Sequence, residues 1–217
     1  MAFRAALDRR GGFPKRPANG FLASLALAGL LVGCTSAPPL QATQDAAAFE
    51  ESAPPEALQQ FEQAVLHMNA GDFAAAEQGL RAVAAQYPAY SGALVNLGIL
   101  QVKAGRLDEA EQTLREAVER NDVNVAAFNQ LGIVYRRLGR FEDAQRSYLR
   151  AVQIDPQYAL AWLNLGVLCD LYLQEPQCAL DAFERYLALA PTPESKVETW
   201  VGELRRRIAA GPQARAE

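Results

Sequence analysis

From Ala57 onward, apolar residues return with a helical period. Ala110, Leu114 and Ala117 stand four and three residues apart, and Leu94, Leu97 and Gly98 keep the same phase one stretch earlier. Spacing at i, i+3, i+4 and i+7 marks a helix that buries one stripe. The stripes are short and regularly interrupted. Gly71, Gly105 and Gly139 end alternate stretches, as glycine does by entering the left-handed conformation at a helix end. Pro88, Pro156 and Pro191 follow the other stretches, where a residue without an N–H stops the helix. The pattern predicts an all-α chain built of helix hairpins.

The hairpins repeat. Residues 57–90, 91–124, 125–158 and 159–193 align with a period of 34, the last with one extra residue. Leu97-Gly98, Leu131-Gly132 and Leu165-Gly166 fall in register. So do Leu94, Phe128 and Trp162, the small residues Ala76, Ala110 and Ala144, and the large residues Leu80, Leu114 and Tyr148. This pattern resembles the tetratricopeptide repeat (TPR). The resemblance implies a right-handed solenoid, because one hairpin cannot bury its own face and must stack on neighbours. Two departures are expected to shape the ends. Repeat one has Gln60, Gln63 and Ala64 at positions that are large, leucine and glycine elsewhere, so its first helix reads as an end cap. Repeat four shifts its conserved-type positions to Ala179, Phe183 and Pro191 and lacks the turn glycine. Val197, Trp200, Val201, Leu204 and Ile208 then make a capping helix over 194–210, with Arg205, Arg206 and Arg207 at its wet end. Residues 211–217 read as a disordered tail.

The amino terminus follows another pattern. Arg4, Arg9, Arg10, Lys15 and Arg16 precede a run of 13 residues, Phe21 to Gly33, that is almost wholly apolar. A bilayer span needs about 20 apolar residues, so the run reads as a signal peptide over 1–33. Its end, Leu31-Val32-Gly33-Cys34, resembles the lipobox of bacterial lipoproteins. That resemblance implies cleavage before Cys34 and acylation of its thiol and new amine, palmitate included. Thr35 and Ser36 follow in place of an acidic retention residue, which implies the outer membrane, with the protein facing the periplasm. A plain secretory signal is the alternative. Residues 34–56 carry the lipidated cysteine and then a stretch rich in Ala, Pro, Ser, Gln and acid. Too few large apolar residues remain there to offset ordering entropy, so it reads as a flexible tether.

Charge and composition narrow the function. The formal net charge is −4. Loss of residues 1–33 removes five cations and one anion, leaving 16 cations and 24 anions, a net −8. Such a chain is not drawn to nucleic acid or anionic lipid. One histidine and three cysteines leave little for a metal site, and no metal or cofactor is expected. His67 has no acid or nucleophile at a catalytic spacing and reads as a partly buried packing residue. Nothing resembles a catalytic set, so the chain is not expected to be an enzyme. Cys169 and Cys178 flank the long turn of repeat four. In an oxidising compartment they form a disulfide; the alternative is two reduced cysteines in small-residue packing slots.

The first helices line the concave face of a TPR array. Asn96, Gln130 and Asn164 share one register position there, with Asn129 beside them. A ladder of amides suits an extended peptide backbone, although amides are also common at this position for packing. Val65, Ile99, Ile133 and Val167 form an apolar floor, and Lys103, Arg136 and Arg137 add positive charge at one rim. The expected partner is a segment of another envelope protein, extended or helical, with apolar side chains. The Lys/Asn arrangement of the chaperone-type carboxylate clamp is absent. Anchor and array together resemble the TPR lipoproteins of type IV and Flp pilus assembly. They also resemble periplasmic adaptors of peptidoglycan hydrolases or TonB-like systems. A scaffold for a pilus, secretion or other envelope complex is therefore expected, since fold alone does not fix the function.

Overall fold

The computed structural model describes residues 53–211. The expected signal peptide, Cys34, most of the tether and residues 212–217 lie outside the described residues. Among the described residues there are nine helices and no strand. Four hairpins pair α1 (Pro55–Ala70) with α2 (Phe73–Gln86), α3 (Gly92–Lys103) with α4 (Leu107–Arg120), α5 (Val125–Arg137) with α6 (Phe141–Ile154), and α7 (Ala159–Leu171) with α8 (Pro176–Leu189). The last helix, α9 (Ser195–Ala210), packs on α8. α1 begins at Pro55, two residues before the expected repeat boundary; proline suits a first helical position because its φ is already set and its missing N–H has no partner there.

Three turns share one geometry. Gly71, Gly105 and Gly139 take φ of +82°, +76° and +75°. The N–H of the next residue then reaches five residues back: Asp72 to His67 O, Arg106 to Gln101 O, and Arg140 to Tyr135 O, at 2.9, 2.9 and 2.8 Å. The fourth turn has no glycine. Gln174 takes the left-handed conformation there at φ +55°, at a cost of about 1 kcal/mol. The extra residue lengthens the turn, so Glu175 N–H reaches six residues back to Cys169 O at 2.9 Å.

The second, third and fourth hairpins each close on a glycine of the first helix. A Cβ at Gly98 would lie 2.6 Å from Leu114 Cγ, one at Gly132 2.3 Å from Tyr148 Cε1, and one at Gly166 2.5 Å from Phe183 Cδ1. The large side chain of the second helix therefore lies directly on the backbone of the first. Repeat one reverses the partnership. Ala64 occupies the slot on α1, and the glycine moves to α2, where a Cβ on Gly79 would meet Ala64 Cβ at 2.9 Å. Leu114, Tyr148, Phe183 and Leu80 are all fully buried.

Neighbouring hairpins meet through both kinds of helix. α1 touches α3, α3 touches α5 and α5 touches α7, while the second helices approach one another less closely. The first helices therefore line the inner side of the array. Ion pairs tie the outer side. Arg106 grips Glu77 of the preceding repeat with two bonds, 2.6 and 3.1 Å. One repeat later Arg140 reaches Glu111, its Nη1 donating to both carboxylate oxygens at 2.9 and 3.0 Å. The next joint has Gln145 in place of the glutamate. The Arg106 guanidinium, and after it Arg81, holds the Glu77 carboxyl down at about 2.

The carboxy-terminal end is closed as expected. Val197, Val201 and Leu204 of α9 are buried, and Trp200 packs on Phe183 with centroids 5.4 Å apart. Arg205 pairs with Glu184 at 2.8 Å and Arg207 with Asp170, while Arg206 stays exposed. Val201 stands 35 residues after Gly166, in the register position that is glycine in the three preceding hairpins.

Three substitutions test the packing and the ion pair across repeats. Gly132→Ala should lower thermal stability by about 2 kcal/mol through overpacking against Tyr148. Gly202→Ala, where a Cβ meets nothing within 4 Å, should raise it by about 0.5 kcal/mol. Glu77→Gln should cost about 1 kcal/mol at pH 7, since the pair is partly solvated. Glu77 has a depressed folded-state pKa, about 2 against an ordinary 4.5. Its stabilisation is therefore complete above pH 4.5 and is lost as pH falls toward 2. Denaturation of the wild type and Glu77→Gln should converge across that window.

Candidate functional site

Helices α1, α3, α5 and α7 each contribute one aliphatic residue to the inner face. Val65, Ile99, Ile133 and Val167 stand in the same register and are all partly buried. They leave a row of partly open aliphatic positions along the first helices, which touch one another from repeat to repeat. The amides beside this row are largely engaged within the protein. Asn164 Nδ2 donates to Asn129 Oδ1 at 2.9 Å, joining α7 to α5, and Asn129 is 1% exposed. Asn96 Nδ2 donates back to Gly92 O at 3.2 Å. Gln130 remains partly exposed. Of these amides only Asn164 and Asn129 join two first helices, while Asn96 bonds within its own helix, so they do not present a continuous ladder to a ligand.

The three cations take different places. Lys103 is exposed, its ammonium 5.7 Å from the Phe73 ring centroid. Arg137 is exposed and donates to Val102 O, an end carbonyl of α3, at 2.7 Å. Arg136 is drawn inward, its guanidinium 5.7 Å from the Tyr172 ring centroid. Arg136 Nε and Tyr148 Oη are both buried without a hydrogen-bond partner among the described residues. Burial pushes the Tyr148 hydroxyl up to about 12, so it stays neutral. Burial also works against the Arg136 charge, but the oxygens of Tyr148 and Tyr172 outweigh it and raise its pKa.

His67 is not the packing residue expected of it. It is exposed, with Nδ1 3.5 Å from the Asp72 carboxylate. The same register position holds buried Gln101 and Cys169 and partly buried Tyr135 in later repeats. Tyr135 lies in the field of Glu111, on the preceding hairpin. No described helix precedes α1 to cover His67.

Cys169 and Cys178 are joined as a disulfide between α7 and α8, with Cα atoms 5.8 Å apart. Cys169 is fully buried. The Glu175 carboxylate lies within 4.8 Å of both sulfurs, but bonded sulfurs are poor metal ligands because the ligand is the thiolate. The bridge pins the turn that Gln174 strains.

Family models agree with this geometry. A tetratricopeptide repeat model matches residues 67–131, and a TPR repeat model matches residues 132–169. Residues 67–169 of the chain are thus built of tetratricopeptide repeats. Solved TPR structures resemble it in fold. PilF of Pseudomonas aeruginosa is 20% identical, with a TM-score of 0.64 over 71% of this chain and 69% of PilF. MamA is 21% identical, with a TM-score of 0.58 over 69% of this chain and 81% of MamA. The first TPR domain of Spaghetti (RPAP3), solved with the HSP90 peptide SRMEEVD, is 23% identical, with a TM-score of 0.51 over 55% of this chain and 93% of that one. No curated protein matches the chain in sequence. Among the described residues, no helix of this TPR protein is long and apolar enough to cross a membrane.

One feature of the first helices escapes a repeat-by-repeat reading. Leu160, Leu163, Val167 and Leu171 fall three, four and four residues apart on α7, which puts them on one helical face. Leu160 is 40% and Leu171 67% exposed. Helical spacing was the available signal, but alignment across repeats picks out only Val167.

A thiol count tests the bridge. The unreduced, denatured protein should show no free thiol from Cys169 or Cys178, and reduction should lower stability by about 2–3 kcal/mol, as for a loop of this length. Two titratable thiols before reduction would contradict the bond.

Proposed function

We propose that this TPR protein is a lipid-anchored binding module of the bacterial envelope. Cys34 carries the acyl chains, residues up to the first repeat act as tether, and the groove holds a segment of another envelope protein. The module faces the periplasm from the outer membrane and assists assembly of a pilus, secretion or related complex. The observation that carries the binding role is the inner face itself: four aliphatic residues in register along α1, α3, α5 and α7, left partly open. The peptide held by the RPAP3 domain and the shared fold with PilF support a groove of this kind. The Cys169–Cys178 bond supports an oxidising compartment, where such bonds persist. The Leu-Val-Gly-Cys run at residues 31–34 supports the anchor, and more than one acyl chain is needed for stable anchoring.

Expression in a Gram-negative host with an alkyne fatty acid tests the anchor. Label should appear on the wild type and vanish in Cys34→Ser; equal labelling of both overturns lipidation. In the same cells, Ile99→Gln with Ile133→Gln should abolish crosslinking of envelope partners while the circular dichroism stays helical. Unchanged crosslinking would overturn the groove.

A further inference from the structure

The groove is uneven in charge and in apolarity, and both asymmetries point to one occupant. Most cations of the second helices and turns are neutralised: Arg81 and Arg106 by Glu77, Arg115 and Arg140 by Glu111, Arg120 by Glu116. Lys103, Arg136 and Arg137 on α3 and α5 have no carboxylate within 4.0 Å among the described residues. The only acid on α3, α5 or α7 is Asp170, and Arg207 of α9 holds it. The next acids along the row of first helices are Glu62 on α1 and Glu198 on α9. A chain with net charge −4 thus keeps the middle of its inner face cationic and free of unpaired acid.

The apolar surface has a direction as well. The four-residue stripe on α7 runs from Leu160 to Leu171, roughly 17 Å along the helix axis. A stripe along one helix fits the apolar face of a second helix laid against it, whereas an extended strand crossing the repeats would meet one residue per helix. The engaged amides Asn96, Asn129 and Asn164 remove the main attraction for a strand backbone.

We propose that the groove receives an amphipathic helix of about three turns from a partner protein. Its apolar residues, spaced i, i+3 or i+4, and i+7, pack on Leu160, Leu163, Val167 and Leu171. Its carboxylates lie on the side facing α5, toward Arg136 and Arg137, with Lys103 beyond. This inference rests on the groove reading above and names the class of segment the groove takes.

Two fluorescein-labelled 16-residue helical peptides test it against the full chain. Both carry leucines in the spacing just given; one is flanked by glutamates and the other by lysines. Fluorescence anisotropy at low salt should show the glutamate peptide binding at least tenfold tighter, with the ratio shrinking as salt rises. Leu171→Glu, at a mostly exposed site that leaves folding intact, should weaken the glutamate peptide at least fivefold. Arg137→Glu should lower its affinity but not that of the lysine peptide. Equal or reversed preference, no binding of either peptide, or no effect of Leu171→Glu would overturn the acidic helix. Sedimentation of wild type and Leu171→Glu should give monomers of equal size. Self-association lost in the variant would make the occupant a second copy and overturn the proposal. Any of these failures alongside groove-dependent crosslinking in cells leaves the groove standing and removes only the acidic helix; loss of groove dependence removes both.

Discussion

The contact on which the array depends is a side chain laid on bare backbone. Leu114, Tyr148 and Phe183 rest where a Cβ of Gly98, Gly132 or Gly166 would stand. That approach brings the two helices of each hairpin close enough to exclude water from a seam with few large residues. Its geometry then fixes the rest. A closely packed hairpin presents its first helix at a repeatable angle, so successive first helices touch and successive second helices spread. The inner face, and with it the row Val65, Ile99, Ile133 and Val167, follows from that spacing.

The polar groups divide their work along the same line. On the outer side, Arg106–Glu77 and Arg140–Glu111 cross from one hairpin to the next. Each is partly solvated, so each adds little energy, but their repetition fixes the stacking register. On the inner side, Asn164–Asn129 links first helices. With both sets engaged in holding the array together, the surface left for recognition is apolar on α7 and cationic on α3 and α5.

Most of the fold was legible because each repeat states the rule again. Glycine and proline mark the hairpin ends, and the aligned Leu-Gly pairs mark the seam. What was not legible depends on neighbours that a single repeat does not reveal. His67 looks like its register mates, yet it is exposed because no described helix precedes α1. Asn129 and Asn164 have the composition of a ligand ladder, but only the packing of α5 against α7 shows that they satisfy each other. Repeat one seemed to lack its glycine; the seam is intact because Gly79 supplies it from the other helix. The α7 stripe lay hidden for a related reason: alignment across repeats compares one residue per helix, and the stripe runs along a single helix. Cys34 and most of the tether lie outside the described residues, and the last two tether residues, Pro55 and Glu56, already belong to α1.

Val201 marks the end of α9's likeness to the hairpins before it. It occupies the glycine register, and it is buried against what precedes it. A side chain there replaces the bare backbone on which the second, third and fourth hairpins close. α9 thus keeps the register of a first helix without the glycine seam of the three hairpins before it.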